Sequence, residues 1–241
     1  MATVLVTGVG GPTGIGAVRS LHERTDHEVV GVDMDSTAAG LHLADAGHTV
    51  PPASDDAWVE TLCSLVAAHD VDAVVPTVDE ELAELASLSQ SLPAEVPVVA
   101  PHPDLVDVAL DKYRTHTHLA DTGHNVPRTW LATERDAVDR SAFPLLVKPR
   151  RGRGSRGIER VDGPDELTTH LAATEYAASS LLLQEFVSGT EYTTSVVATR
   201  DDRLLGIVPK EAVRKEGSTV TGVTRRCPPV RAECESIFET F

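Results

Sequence analysis

Phe143-Pro-Leu-Leu-Val-Lys-Pro-Arg-Arg-Gly-Arg-Gly-Ser-Arg-Gly-Ile158 joins an apolar run to a loop of three glycines and a serine among arginines. The run Leu145 to Lys148 reads as a buried strand. It ends on Lys148, one of only four lysines against seventeen arginines in the chain. A glycine-rich loop exposes backbone amides that can wrap a polyphosphate, and a fixed cation beside it neutralises an α- or β-phosphate. A flexible basic surface loop would not require a scarce lysine at the end of a buried strand. Lys148, Arg150, Gly152, Gly154, Ser155 and Gly157 are therefore the candidate phosphate ligands.

On either side of this stretch the pattern is mixed. A helix is expected from Leu110 to Asp121, ended by Gly123, followed by an extended entry, Val126 to Trp130. Leu181 to Phe186, Tyr192 to Ala198, Leu204 to Val208 and Ser218 to Val223 read as strands, with one helix from Pro164 to Ala178 among them. A last helix, Arg231 to Phe241, carries no stop signal and no following strand, which reads as a cut end.

The first hundred residues alternate apolar runs with helical stretches, the pattern of a doubly wound parallel sheet. Strands are expected at Thr3 to Thr7, Glu28 to Val32, His48 to Val50, Ala73 to Val75 and Val96 to Val99. Helices are expected near Pro12 and Asp55 and from Asp79 to Ser91, the last placing Leu82, Leu85 and Leu88 on one core face. Gly8-Val-Gly-Gly-Pro-Thr-Gly-Ile-Gly16 follows a strand and opens a helix. It allows three readings: a dinucleotide site with Asp33 as ribose acid, a substrate contact through Gly10 and Gly11, or a tight turn. The spacing is poor for a dinucleotide, and no Tyr-x-x-x-Lys pair is present. Asp79 and Glu80, after the fourth strand, could hold an amine or hydroxyl group or simply satisfy a helix N-terminus.

Composition narrows the function classes. The chain has 241 residues, is 41% hydrophobic and carries a formal charge of -16. No basic stripe exists to neutralise phosphates, which argues against nucleic acid. No apolar run approaches the ~20 residues of a membrane span, and no signal peptide is visible, so a cytoplasmic protein is expected. The dispersed acid and the arginine bias resemble proteins of extreme halophiles. Cys63, Cys227 and Cys234 form no CxxC pair, which indicates free thiols.

Taken in order, these motifs resemble the ATP-grasp superfamily, particularly its carbamoyl-phosphate-synthase-like and carboxylate–amine ligase members. Val147-Lys-Pro149 through Gly157 matches the family's strand, Lys-Pro and lid loop; Asp111-Lys112 matches the basic residue that opens the ATP-grasp region; Leu182-Leu-Gln-Glu-Phe-Val187 matches the hinge. The resemblance implies adenine contacts at Glu185, Phe186 and Val187, and a ribose contact at Glu191. It implies an α/β chain: a Rossmann-like pre-ATP-grasp domain (1–110), then an incomplete α+β ATP-grasp domain (111–241) with its lid at about 126–184. The family's magnesium ligands, a late acid and a Glu-x-Asn pair, have no counterpart. Asn125 is the single asparagine, and Glu233, Glu235 and Glu239 lie on a helix. Magnesium is thus expected only with further C-terminal residues, and the chain reads as a fragment, inactive alone.

The implied reaction passes the γ-phosphoryl group of ATP to a small-molecule carboxylate, and an amine attacks the acyl phosphate; no catalytic residue is assigned. Arg214 or Arg225 is a candidate for the carboxylate or γ-phosphate, with exposed strand residues as the plainer reading. A homodimer is among the expectations. Nicotinamide-dependent oxidoreductase and non-catalytic ATP-binding protein are the alternatives.

Overall fold

The computed structural model describes the backbone of every residue from Met1 to Phe241 except Arg153 and Arg200, and the side chains of all these but Ala86, Pro103 and Ser218. The chain divides into two compact units, Met1–Val106 and Asp107–Phe241. The first holds β1 (Thr3–Val6), α1 (Pro12–Arg24), β2 (Glu28–Asp33), β3 (Ala46–Thr49), α2 (Ala57–Ala68), β4 (Ala73–Val75) and α3 (Leu85–Ser91). Its sheet runs β3-β2-β1-β4, all parallel. Valine-rich strands suit a sheet covered on both faces. Leu5, Val30, Val32 and Val74 pack with Trp58, Leu62 and Val66 of α2 on one side. Val4, Val6 and Val29 pack with Val18 of α1 on the other.

Two expected elements of this unit are corrected. Val96 to Val99 is not a strand: it contributes one parallel bridge, Val98 to Val74. Pro97 lies within it and Pro93 and Pro101 flank it, and a residue without an N–H cannot extend the ladder. The helix expected from Asp79 starts as a 3-10 turn, Asp79–Glu81, and becomes α-helical only at Leu85. That tight turn carries Glu81 inward, where its carboxylate accepts from the buried Thr7 hydroxyl. Leu85 and Leu88 are buried as expected, with Leu82 partly so.

The second unit follows along α4 (Pro103–Ala109), which carries the chain into it. It holds α5 (Lys112–Asp121), β5 (Thr129–Leu131), β6 (Leu145–Pro149), β7 (Glu159–Val161), α6 (Pro164–Ala173), β8 (Leu181–Glu185), β9 (Tyr192–Ala198), β10 (Leu204–Glu216), β11 (Ser218–Thr224) and α7 (Pro228–Phe238). Two antiparallel sheets result, β5-β8-β6-β7 and β11-β10-β9. The expectation stopped β10 at Val208 because Pro209 follows. In the structure the β11 ladder stops at Lys210; the Pro209 carbonyl still accepts from the Arg225 amide at 2.9 Å, and the missing N–H falls where the pairing with β11 has ended. Helix α7 begins three residues early because Pro228 and Pro229 occupy first-turn positions that need no donor. Helix α6 is shorter than expected, ending at Ala173 with Thr174 extended. The three-residue strand β7 was too short to be read.

Candidate nucleotide site

Pleating decides what the four-stranded sheet presents. Leu145 and Val147 of β6 are buried with Leu181 and Leu183 of β8, Val161 and Leu167. Successive side chains on a strand point to opposite faces, so Lys148 falls on the other side. The register sets Lys148 opposite Leu182 and Leu146 opposite Gln184, which makes Lys148 and Gln184 diagonal neighbours on that face. Lys148 Nζ donates to Gln184 Oε1 at 2.7 Å, and Gln184 Nε2 donates to Thr129 Oγ1 at 2.9 Å. Burial lowers the Lys148 pKa, and the Lys112 charge lowers it further. A half-buried ammonium bonded to a neutral amide gains strongly from an incoming anion. Gln184 lies in the quoted hinge stretch, but its role depends on strand register, which the sequence does not display.

Asp111 begins α5. Its Oδ1 accepts from the Tyr113 and Arg114 amides at 3.0 and 3.4 Å, an N-cap. The same buried carboxylate takes the Arg150 guanidinium at 3.2 Å from Nε and 2.6 Å from Nη2. Desolvation works to raise the Asp111 pKa, but Arg150 and the two amides outweigh it and hold the group below its usual value. Arg150, expected beside phosphate, is thus engaged in bracing α5 and lies 5.5 Å over the Tyr113 ring. The brace fixes Lys112 against the loop: its N–H donates to Arg150 O at 3.0 Å and its Nζ to Gly152 O at 2.7 Å.

Lys112, Gly152, Gly154, Ser155 and Arg156 help line a cavity of about 110 Å³, room for a few waters. Gly157 has φ +69°, and a Cβ there would meet Pro149 and Tyr176 at 3.0 Å, so only glycine fits. Ser155 Oγ donates to Gly217 O at 2.5 Å, tying the loop to the turn between β10 and β11. Arg153, within the same loop, lies outside the described residues.

Beyond β8, the Phe186 ring is 37% exposed beneath the Arg160 guanidinium at 4.7 Å, and Val187 is 64% exposed. Their N-terminal neighbour Glu185 is engaged: its carboxylate accepts from Arg128 Nε at 3.1 Å, a bond that lowers its pKa. Glu191 pairs with Lys215 at 2.7 Å. Arg214 pairs with Glu216 at 2.9 Å and Arg225 with Glu211 at 2.6 Å, so both arginines already have carboxylate partners. Among the described residues no group of three or more His, Cys, Asp or Glu could hold a metal ion. A hard cation needs several oxygen ligands. No such set is found among the described residues.

In the first unit, Gly10 N–H donates to Asp33 Oδ2 at 2.7 Å and Gly11 N–H to Gly8 O at 3.1 Å. Both amides are therefore spent inside the loop, and Asp33 supports it. Asp79 and Glu80 are exposed on their 3-10 turn. The carboxylate that sequence reasoning missed is buried Glu81, with Thr7 and Thr77: Thr77 Oγ1 donates to Thr7 O at 2.7 Å.

Comparison with known proteins agrees with this architecture. Residues 4–99 match the family described as PylC-like, N-terminal domain, and residues 109–240 match the ATP-grasp domain. Carbamoyl-phosphate synthase of Methanobrevibacter smithii is 24% identical over 202 residues, 81% of this chain and 52% of that enzyme. D-alanine–D-alanine ligase of Nitrosospira multiformis is 35% identical over 96 residues, 37% of this chain and 31% of that enzyme. The chain thus spans about half the length of the first of these relatives and less of the other. Among solved structures, N5-carboxyaminoimidazole synthetase from Staphylococcus aureus superposes with a TM-score of 0.76 at 15% identity, covering all of this chain and 63% of that one, and its ADP complex gives 0.74. A parallel sheet unit precedes a unit of two antiparallel sheets, and the ATP-grasp match spans more than half of the sequence: the chain belongs to the ATP-grasp family.

Proposed function

We propose that this chain forms the nucleotide-binding part of an ATP-dependent ligase that activates a small-molecule carboxylate as an acyl phosphate for attack by an amine. One observation carries the reading: Lys148, half-buried beside the Lys112–Gly152 contact, is a fixed cation at the foot of a glycine loop. The ligase relatives support it. ATP, when bound, supplies the phosphoryl group. Lys148 and Lys112 neutralise phosphate charge, and the Gly152, Gly154, Ser155 and Gly157 backbone closes over the phosphates as part of a lid spanning 126–184. Phe186 and Val187 cover the adenine with the backbone of Glu185, and Glu191 accepts from the ribose. Arg150 acts through Asp111 by holding Lys112. Such catalysis consists mostly of positioning and charge neutralisation. Asp79 and Glu80 are proposed as substrate contacts of the first unit, with Gly10 and Gly11, whose amides are bonded within the loop, offering at most carbonyl or van der Waals contact.

We place the protein in the cytoplasm of a halophile, with a homodimer as its assembly and magnesium as a partner of ATP held by ligands that are not among the described residues. The 37 acidic residues against 21 basic ones support the high-salt setting. Among the described residues no helix is long and apolar enough to cross a membrane.

Titration calorimetry with ATP and, separately, NAD tests the reading. ATP should bind saturably. Lys148→Ala should weaken it about tenfold or more, as expected for a lost charged hydrogen bond of roughly 1.5–3 kcal/mol. NAD binding with ATP silent would overturn the proposal.

A further inference from the structure

His116 stands one helical turn after Lys112 on α5, positions that share a helix face. Its Nδ1 is buried and has no hydrogen-bond partner. Neighbouring histidines differ: His118 Nε2 meets the Thr240 hydroxyl at 3.3 Å and His124 Nδ1 meets Glu233 at 2.9 Å. Buried polar atoms are normally satisfied, so an orphan beside a binding site calls for a partner that arrives with the ligand. The charges around His116 are specific. Burial opposes its protonation most, Asp121 on its own helix favours it, and Lys148 from β6 opposes it. Tyr113 lies 6.3 Å away, ring to ring. Strand β5, packed against α5, brings no titratable side chain, and Arg128 before it is paired with Glu185. On the α7 side, Glu233 is engaged by His124.

We infer that His116 is a proton-linked group of the nucleotide site, neutral in the empty protein and protonated when a polyphosphate is seated on Lys112 and Lys148. This rests on the ATP reading above. The seated phosphates cancel the Lys148 field and add an attraction for an imidazolium, so binding draws one proton from solvent onto the ring. Affinity then rises as pH falls between the depressed value of the empty site and the raised value of the filled one.

The test is ATP calorimetry in two buffers of different ionisation enthalpy at about pH 6.5, close to the ordinary histidine value, for the wild type and His116→Gln. The wild type should take up more protons per nucleotide than the variant. Its affinity should gain about tenfold more between pH 8 and pH 6 for each unit by which the pKa rises. A merely structural role would shift affinity equally at every pH and leave proton uptake unchanged, and would defeat the inference. The His116 Cε1–H resonance of the wild type gives a second reading that needs no variant: ATP should move it toward the imidazolium position, and an unmoved resonance would overturn the proposal. ATP binding with neither effect sinks this inference alone; no ATP binding sinks the ligase reading with it.

Discussion

Asp111 shows how one buried carboxylate can serve two elements. It caps α5 and takes both arms of Arg150, and Lys112 is held at the loop as a result. Asp111→Ala should destabilise the second unit by about 1–2 kcal/mol for the cap alone, and more because Arg150 loses its partner. It should also weaken ATP binding. The sign of the pH effect follows from the lowered pKa: the stability that Asp111 contributes is complete above the unfolded value of about 3.9 and is lost as pH falls through the lower folded value. Urea unfolding should therefore show a steeper acid decline in the wild type than in the variant. The helix was legible from Leu110, two residues before its start at Lys112, and Asp111-Lys112 only through the family resemblance, as the residues opening the ATP-grasp region. Arg150 was read as a phosphate ligand because a loop arginine's partner, thirty-nine positions back, becomes visible only in the fold.

At the scale of elements, periodicity read well wherever both strand faces were apolar, as in β1 and β2, and failed where proline intervened at Pro97 and Pro209. Lys148 was legible because the strand and loop flanking it are local. Gln184, Glu81 and His116 were not, since register, an inward turn and atomic burial are non-local facts. The ends of β3 and α2 hold another such fact: His48 and His69 meet Nε2 to Nε2 at 2.8 Å, a contact in which only one nitrogen can carry the proton. Burial, then the His69 charge, lowers the His48 pKa. The unfolded chain accordingly binds protons first, so first-unit stability is full above the ordinary value of about 6.5 and falls as pH drops below it. Thermal unfolding followed by Trp58 fluorescence in a Trp130→Phe background should show this decline between about pH 7 and pH 5, flattened by His48→Asn. An equal slope in the variant would remove the pair from the account.

For the whole molecule, charge is the governing quantity. A net -16 on 241 residues stores self-repulsion that salt relieves, the screening length shrinking from about 10 Å at 0.1 M to about 3 Å at 1 M. The melting midpoint should rise as KCl increases across that range, and a midpoint indifferent to KCl would contradict the high-salt setting. Family and fold stand on the match of residues 109–240 and the two-sheet second unit, whereas the complete reaction belongs to proteins of which this chain spans part. ATP is proposed to sit where Lys148, Lys112 and the glycine loop converge. Hydrogen–deuterium exchange with and without ATP tests it most directly. Slowed exchange of the amides from Gly152 to Gly157 and from Glu185 to Val187 is the predicted result. Protection confined to Gly8 through Gly16, with those segments unchanged, would contradict it.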